Sequence, residues 1–330
     1  MLLTNTREMT SLVQGLIAAV AYVVLDVLHV LKVLVLVPVQ GIYGMLQSTE
    51  TKLAKFYDGK TVLITGASSG VGEAMALQLA GLRCNLVLCA RSAEQLTRVA
   101  GQCRSVAPSS HVLVLPLDLE EIAVKPDTTM SRDLPKLESW LQAKGLKGID
   151  VLLNVAGVSS RGSALETDSA TLKKVMDINF FGPAILTRSM IPLMVGKCHS
   201  PAIGVVSSVQ GRLGIPLRTS YAASKHALQG YCDCLRAEMH KHLTVTVISP
   251  GYVNTNLSNN AITGDGSKYG KTDETTAKGM SPQMCARSSL LAVARGLPEL
   301  VLADAKTCAA VQARGQFPGL LARMTRSKGT

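Results

Sequence analysis

Short apolar runs alternate with longer helical patterns from Gly59 onward. The runs, rich in β-branched residues and leucine, stand at 61–65, 85–90, 112–117, 150–156, 202–208, 244–249 and 299–303. They are hydrophobic along their whole length rather than at every second position. A strand apolar on both sides must be covered on both sides, which a parallel sheet between two layers of helices provides. The pattern predicts one doubly wound α/β domain built on a parallel seven-stranded sheet. Only the stretch 252–280 breaks the alternation; its Thr, Gly, Asn, Asp and Lys content and its length predict a functional loop or lid.

The N-terminal pattern is different in kind. From Leu12 to Val37 the chain is almost wholly apolar, and as one helix it would measure about 39 Å, enough for a hydrocarbon core of about 30 Å. Gln14, Tyr22, Asp26, His29 and Lys32 fall within an arc of about 120° on that helix, giving it one polar stripe. Such a helix either spans a membrane with the stripe against a partner or lies in the interface; spanning is favoured. The run is too long for a cleaved signal peptide and for an ordinary core helix. Lys52, Lys55 and Lys60 follow it and Arg7 precedes it, a weak preference for a cytosolic catalytic domain. The expected organisation is an anchor at 1–44, a polar linker at 45–58, a catalytic domain at 59–304 and a basic, apolar tail at 305–330.

Composition sharpens this picture. Across 330 residues, 47% are hydrophobic and 17% charged, and the mean hydropathy is +0.25, which excludes a disordered chain and points to apolar surface facing something other than water. The net charge of +11 suits an anionic cofactor or lipid. No nucleic-acid partner is expected, because aromatics are 4%, no nucleic-acid-binding motif occurs and the basic residues are scattered outside the tail. Eight cysteines without a CxxC pair, mostly among apolar neighbours, read as reduced, buried side chains, and no metal site is predicted.

Candidate chemistry begins at the first strand's end, where Gly66, Ser68, Ser69, Gly70, Val71 and Gly72 open a helix. Glycines let backbone approach a pyrophosphate, and a helix N-terminus supplies free N–H groups and partial positive charge. This strand–turn–helix predicts a Rossmann-type dinucleotide site. The acidic residue that would bond a ribose hydroxyl at the second strand's end is missing, and Arg91 stands there instead. A guanidinium pairs with a 2′-phosphate, so NADP(H) is favoured over NAD(H). Asp118, ending the third strand, falls where adenine would lie or merely starts the next turn.

Tyr221 and Lys225 are four residues apart at the start of a helix, on one face. A phenol has an ordinary pKa near 10, and an adjacent ammonium and a cationic nicotinamide both favour the phenolate. Thirteen residues before the tyrosine, Ser208 ends a strand at the sheet's carboxyl edge, where its hydroxyl can donate to a substrate carbonyl. Asn179, in the helical stretch 176–181, can hold a water between Lys225 and solvent.

Taken together, TGASSGVG (65–72), NVAG (154–157), the Ser208, Tyr221 and Lys225 set, and Pro250-Gly251 followed by Thr255 resemble the short-chain dehydrogenase/reductase family in content and order, over nearly the whole of 59–304. The resemblance implies Tyr221 as general acid/base, Lys225 as the group that acidifies it and binds nicotinamide ribose, Ser208 as substrate-orienting and Asn179 as part of a proton relay. It also implies cofactor contacts from Ser69, Val71 and Thr255, a bracing role for Asn154, and a homodimer. The expected function is membrane-associated, NADP(H)-dependent hydride transfer to or from a carbonyl or secondary alcohol of a lipophilic substrate: a lipid, steroid, retinoid or acyl-dihydroxyacetone phosphate. Membrane lipid is then a second partner, and the expected location is the endoplasmic reticulum membrane or the peroxisomal membrane. The alternative is a non-catalytic NADPH-binding adaptor at the membrane.

Overall fold

The computed structural model describes residues 49–326 and seven helical positions between 13 and 21. Most of the expected anchor lies outside the described residues; among the described residues no helix is long and apolar enough to cross a membrane. Contacts divide the chain into residues 1–52 and 53–330, and the catalytic unit is the second.

Its strands are β1 (Thr61–Thr65), β2 (Asn85–Ala90), β3 (Val112–Pro116), β4 (Val151–Asn154), β5 (Ser160–Arg161), β6 (Ala202–Val206), β7 (Thr244–Pro250), β8 (Ile262–Thr263) and β9 (Glu299–Leu302). Its helices are α1 (Thr49–Tyr57), α2 (Gly70–Gly81), α3 (Ala93–Val106), α4 (Leu119–Val124), α5 (Pro126–Ala143), α6 (Ser169–Met176), α7 (Gly182–Met194), α8 (Thr219–Met239), α9 (Glu274–Ala277), α10 (Pro282–Ala294), α11 (Ala305–Gln316) and α12 (Pro318–Arg326). Seven strands pair in the order β3-β2-β1-β4-β6-β7-β9, all parallel, as the pattern predicts.

The uniform hydrophobicity of the strands has a direct cause. Val62 and Ile64 of β1, Leu86 and Leu88 of β2, and Val151 and Leu153 of β4 enter the core beneath α2, α3 and α10. The intervening Leu63, Val87, Cys89 and Leu152 enter the opposite core, formed with α5, α7 and α8. Alternate side chains of one strand face opposite sides, so both sets must be apolar. From β1 the chain steps outward to β2 and β3, then returns to place β4 on β1's other side. That reversal opens a crevice at the carboxyl ends of β1 and β4, where open α/β sheets take ligands.

Three local differences from expectation stand out. Residues 49–57, read as part of a polar linker, form α1, with Leu53 and Tyr57 buried and the Tyr57 hydroxyl donating to Leu290 O at 3.0 Å. The apolar runs at 150–156 and 202–208 outlast their strands, because their last residues turn to line the crevice. The stretch 252–280 is pinned at its neck: Val253 and Met280 form a parallel bridge, and within it β8 pairs with β5 as a small second sheet, Ser160 opposite Ile262.

Candidate active site

A cavity of about 720 Å³ opens at the carboxyl edge of the sheet. Gly66, Ser68, Ser69, Gly70, Val71, Gly72, Arg91, Asp118, Ser208, Tyr221 and Thr255 line it, so segments from across the sequence converge as the spacing predicts. Asn154, Asn179 and Lys225 stand behind that lining.

The first turn requires its glycines. Gly66 has φ +69°, and a Cβ there would stand 2.8 Å from Ala156 Cα. A Cβ on Gly72 would stand 2.2 Å from Gly66 O. The backbone is packed to the limit on its inner side while its outer side faces the cavity at the start of the twelve-residue α2. Ser69, the N-cap, makes no side-chain cap bond, leaving the first N–H groups of α2 for a ligand. Thr65 locks this turn to the neighbouring strand, its Oγ1 accepting from Val155 N at 3.0 Å and Ala156 N at 3.2 Å. Such a cradle fits a dinucleotide pyrophosphate.

At the end of β2, Ser92 caps α3 by accepting from Gln95 N at 3.3 Å. Arg91, exposed on the cavity wall, forms no hydrogen bond or ion pair with the described residues. Asp118 caps α4, accepting from Glu120 N at 2.9 Å. It starts the next turn, as one of the two readings had it, and it also lines the cavity. Across the mouth, Thr255 lies over the glycine turn, 3.2 Å from where a Gly70 Cβ would be.

On the opposite side, Ser208 follows β6 and Tyr221 occupies the first turn of α8. The Ser208 Oγ accepts from Gln210 N at 3.1 Å, which leaves its proton to donate. Ser207 is excluded as the alternative, because its hydroxyl is turned inward to Lys225 O (3.4 Å) and Gln229 Nε2 (3.3 Å). Lys225 is buried, and its Nζ donates to Val206 O at 2.9 Å. Asn179 sits in a π-helical turn, Asp177–Phe181, and clamps Val158: its Oδ1 accepts from Val158 N at 2.8 Å and its Nδ2 donates to Val158 O at 2.9 Å. A Cβ on Gly157 would stand 3.0 Å from Asn179 Oδ1 and 3.4 Å from Lys225 Nζ, so these two groups share the space that the glycine leaves. Asn154 braces the sheet from below, its Nδ2 donating to Thr187 Oγ1 at 2.9 Å.

In the chain by itself, burial and charge act on the phenol in opposite directions. Burial pushes the Tyr221 phenol above its ordinary value, and a bond from Ser208 with the charges of Arg161 and Arg218 only partly offsets it. Lys225 Nζ lies 5.9 Å from the phenol ring centroid, and burial lowers its own pKa to about 8. Residues of the chain alone therefore hold the phenol protonated at neutral pH, the state of a proton donor. The cysteines are unpaired, and burial drives the thiols of Cys84, Cys89 and Cys232 upward, which suits packing and not nucleophilic chemistry.

Several members of the site left no mark in the pattern. Thr65 opens the 65–72 motif, but nothing there marks its bonds to Val155 and Ala156. Ser160, whose Oγ accepts from Tyr221 N at 3.2 Å, and the group Arg161, Arg218 and Asp273 are joined only by tertiary contacts.

The model of the short chain dehydrogenase family matches residues 60–265. The chain is a short-chain dehydrogenase/reductase. It is 42% identical over 275 residues to the dehydrogenase/reductase SDR family protein 7-like of Anopheles gambiae, covering 82% of this chain and 83% of that one. It is 39% identical over 286 residues to the SDR family member 7B of Bos taurus, covering 84% and 83%. Among solved structures it is similar to a short-chain dehydrogenase/reductase from Burkholderia phymatum in complex with NAD (TM-score 0.64, 22% identity, 80% of this chain and 96% of that one). An alcohol dehydrogenase from the archaeon Thermococcus sibiricus complexed with 5-hydroxy-NADP shares the fold as well (TM-score 0.60, 24% identity, 74% and 96%). This dehydrogenase/reductase is thus an oxidoreductase of a nicotinamide-using family, similar to SDR family member 7B over most of its length.

Proposed function

We propose that this short-chain dehydrogenase/reductase is an NADP(H)-dependent carbonyl reductase acting on a lipophilic substrate at a membrane. The observation that carries the reading is the convergence of Tyr221 and Ser208 on one cavity wall, opposite the glycine cradle of α2. A nicotinamide dinucleotide, when bound, supplies the two-electron reduction of the carbonyl carbon. The glycine turn and the α2 N-terminus hold its pyrophosphate. Arg91, with no partner among the described residues, takes the 2′-phosphate. Ser208 donates to the carbonyl oxygen, polarising it, and Tyr221 gives its phenolic proton to that oxygen. Lys225, one turn along α8, and Asn179 flank the space at Gly157 through which the phenol regains its proton.

The apolar N-terminal run supports attachment to the endoplasmic reticulum or peroxisomal membrane. There a lipid, steroid, retinoid or acyl-dihydroxyacetone phosphate partitions close to the cavity. The tail adds Lys306, Arg314, Arg323, Arg326 and Lys328 without an acidic residue after Asp304, a composition suited to anionic headgroups. A homodimer is the proposed assembly.

The test is a panel of long-chain ketones, steroids, retinals and acyl-dihydroxyacetone phosphate with NADPH and NADH in detergent. Turnover with NADPH that Tyr221→Phe abolishes, while NADPH still binds by fluorescence, supports the reading. Undiminished activity in Tyr221→Phe rejects it, and NADPH binding without turnover of any carbonyl favours the adaptor.

A further inference from the structure

Next to Ser208, a line of buried polar side chains runs from α8 to the edge of the sheet. It starts at Lys225, whose backbone O accepts from Ser207 Oγ at 3.4 Å. Gln229, one turn further along α8, donates from Nε2 to two hydroxyls, Ser207 Oγ at 3.3 Å and Ser249 Oγ at 3.1 Å. Ser249, near the end of β7, donates in turn to Glu299 Oε1 at 3.2 Å. Glu299 opens the edge strand β9 and holds Arg212, which donates to Oε1 through Nε at 3.1 Å and to Oε2 through Nη2. Ser207, Gln229 and Ser249 are 4%, 4% and 0% exposed, and the partly exposed Arg212–Glu299 pair closes the outer end.

The line has a fixed direction. A carboxylate and a backbone carbonyl only accept, so Glu299 takes the proton of Ser249 and Lys225 O takes the proton of Ser207. Both hydroxyls must then accept from whatever stands between them. The amide NH2 of a glutamine brings two protons and serves both serines at once. Its Oε1 has no partner among the described residues; burying an amide oxygen unpaired is costly, so the amide stands there for its donors. A carboxylate of the same shape would offer acceptors where donors are needed.

The line lies against the turn that carries Ser208. Gln210 N donates to Ser208 Oγ at 3.1 Å and Gly211 N to Ser208 O at 2.8 Å, so the turn and the serine hydroxyl move together. A Cβ on Gly211 would stand 2.6 Å from Gln229 Nε2, 2.7 Å from Ser207 Oγ and 2.9 Å from Lys225 O. The turn is therefore seated directly on the amide, and the next residue, Arg212, is tied to Glu299. Lys225 is held at both ends, its Nζ donating to Val206 O at 2.9 Å and its carbonyl accepting from Ser207. Gln229, Ser249, Glu299 and Arg212 do not line the cavity, so they reach a substrate only through the Ser208 turn and α8.

We propose that Gln229 is a positioning residue: as a double donor between Ser207 and Ser249 it locks the Ser208 turn to α8 and so sets Ser208 against Tyr221, with Glu299 and Arg212 as its outer anchor. The proposal rests on the reading of Ser208 and Tyr221 as the pair that acts on a carbonyl oxygen. A Ser208 hydroxyl displaced by about 1 Å loses its alignment with that oxygen, which lowers turnover. The glycine cradle across the cavity is built from other segments and stays as it is.

The decisive experiment compares Gln229→Met, Gln229→Glu, Ser207→Ala and the double variant Gln229→Met with Ser207→Ala in the full chain, by carbonyl reduction, NADPH titration and hydrogen exchange. Gln229→Met keeps the volume and removes both donors. It should lower kcat about tenfold with NADPH affinity within about twofold, and exchange should quicken at Gln210 N and Gly211 N while amides of β1 and β2 stay protected. Gln229→Glu should lose more, because it puts acceptors in place of the donors. The double variant should lose little beyond Gln229→Met alone, since both substitutions cut one line. An unchanged kcat in Gln229→Met, an equal loss of kcat and NADPH affinity, or losses that add in full in the double variant overturn the proposal. Should the Gln229 variants fail to fold, Ser249→Ala, which severs the amide from Glu299, decides by the same readings, with a smaller loss of kcat expected. Exchange is read without turnover. A chain inactive toward every carbonyl therefore sinks the functional reading, while the brace still stands or falls by the Gln210 and Gly211 amides.

Discussion

The two walls of the cavity are built by different means. On the cofactor side, one strand, one turn and one helix that follow each other directly in sequence make the cradle, with Val155 and Ala156 packed against its inner side. On the substrate side, the wall of Ser208, Tyr221 and part of the 252–280 segment is backed by β5 and the residues before α8, joined by β5–β8 pairing and by Asp273. A local device is sensitive to the size of one atom. A long-range device is sensitive to charge and to the loop's freedom to open.

The sharpest contrast is expected from Gly72→Ala. Its Cβ would meet a backbone oxygen at 2.2 Å, which no rotamer relieves, so the turn must shift. A loss of NADPH affinity of a hundredfold or more, equivalent to about 3 kcal/mol, is expected in a binding titration. Near-normal affinity would show that the cradle is plastic and that the two walls do not differ in this way.

Next in size is Lys225→Met. Burial holds Lys225 near pKa 8 against an ordinary 10.5, so between these values the unfolded chain binds more protons than the folded one. Stability therefore rises with pH across that window, and the whole penalty is present below pH 8. Replacing the ammonium with an apolar side chain should raise stability below pH 8 by about 3 kcal/mol at most, less what the bond to Val206 O contributes. The gain should shrink between pH 8 and 10.5. Thermal melts at both ends of the window check the sign, and turnover should be lost throughout. This would mark Lys225 as a group kept for function at the expense of the fold.

How much could be read in advance follows the same division. Strand limits such as 61–65 and 85–90 were legible to the residue, because a strand buried on both sides leaves no polar position to blur its ends. The glycine turn, Arg91 and the Tyr221–Lys225 pair were legible because their chemistry needs fixed short spacings. Arg161, Arg218 and Asp273 were not, since nothing local distinguishes a buried arginine from a surface one. Spacing reports that Tyr221 and Lys225 share a helix face, while the burial that raises the phenol in the chain by itself depends on everything packed around them. The linker at 45–58 reads as polar by composition, yet Leu53, Phe56 and Tyr57 seat α1 on the core.

On the substrate wall, Arg161→Gln should loosen the 252–280 segment without unfolding the sheet. The pair is partly open to water, Asp273 being 22% exposed, so the loss falls below that of a fully buried pair, at about 2 kcal/mol. Hydrogen exchange should speed at Asp273 N and at Ile262 N, which donates to Ser159 O at 2.9 Å, while amides of β1 and β4 stay protected. Faster exchange throughout the sheet would mean that the loop is integral to the core.

The smallest expected effect discriminates the cofactor. Arg91 lines the cavity at the end of β2, exposed, and it is engaged by no described residue, so its removal leaves no stranded charge. Arg91→Ala should weaken NADPH binding about tenfold, by about 1.4 kcal/mol, and leave NADH binding within twofold. The difference should shrink as salt rises, because an exposed guanidinium–phosphate pair is screened. An equal loss for both dinucleotides would mean that Arg91 supports the wall and does not read the phosphate. In that case the only cation placed by local sequence at the end of β2 serves structure, and cofactor choice falls to the long-range wall.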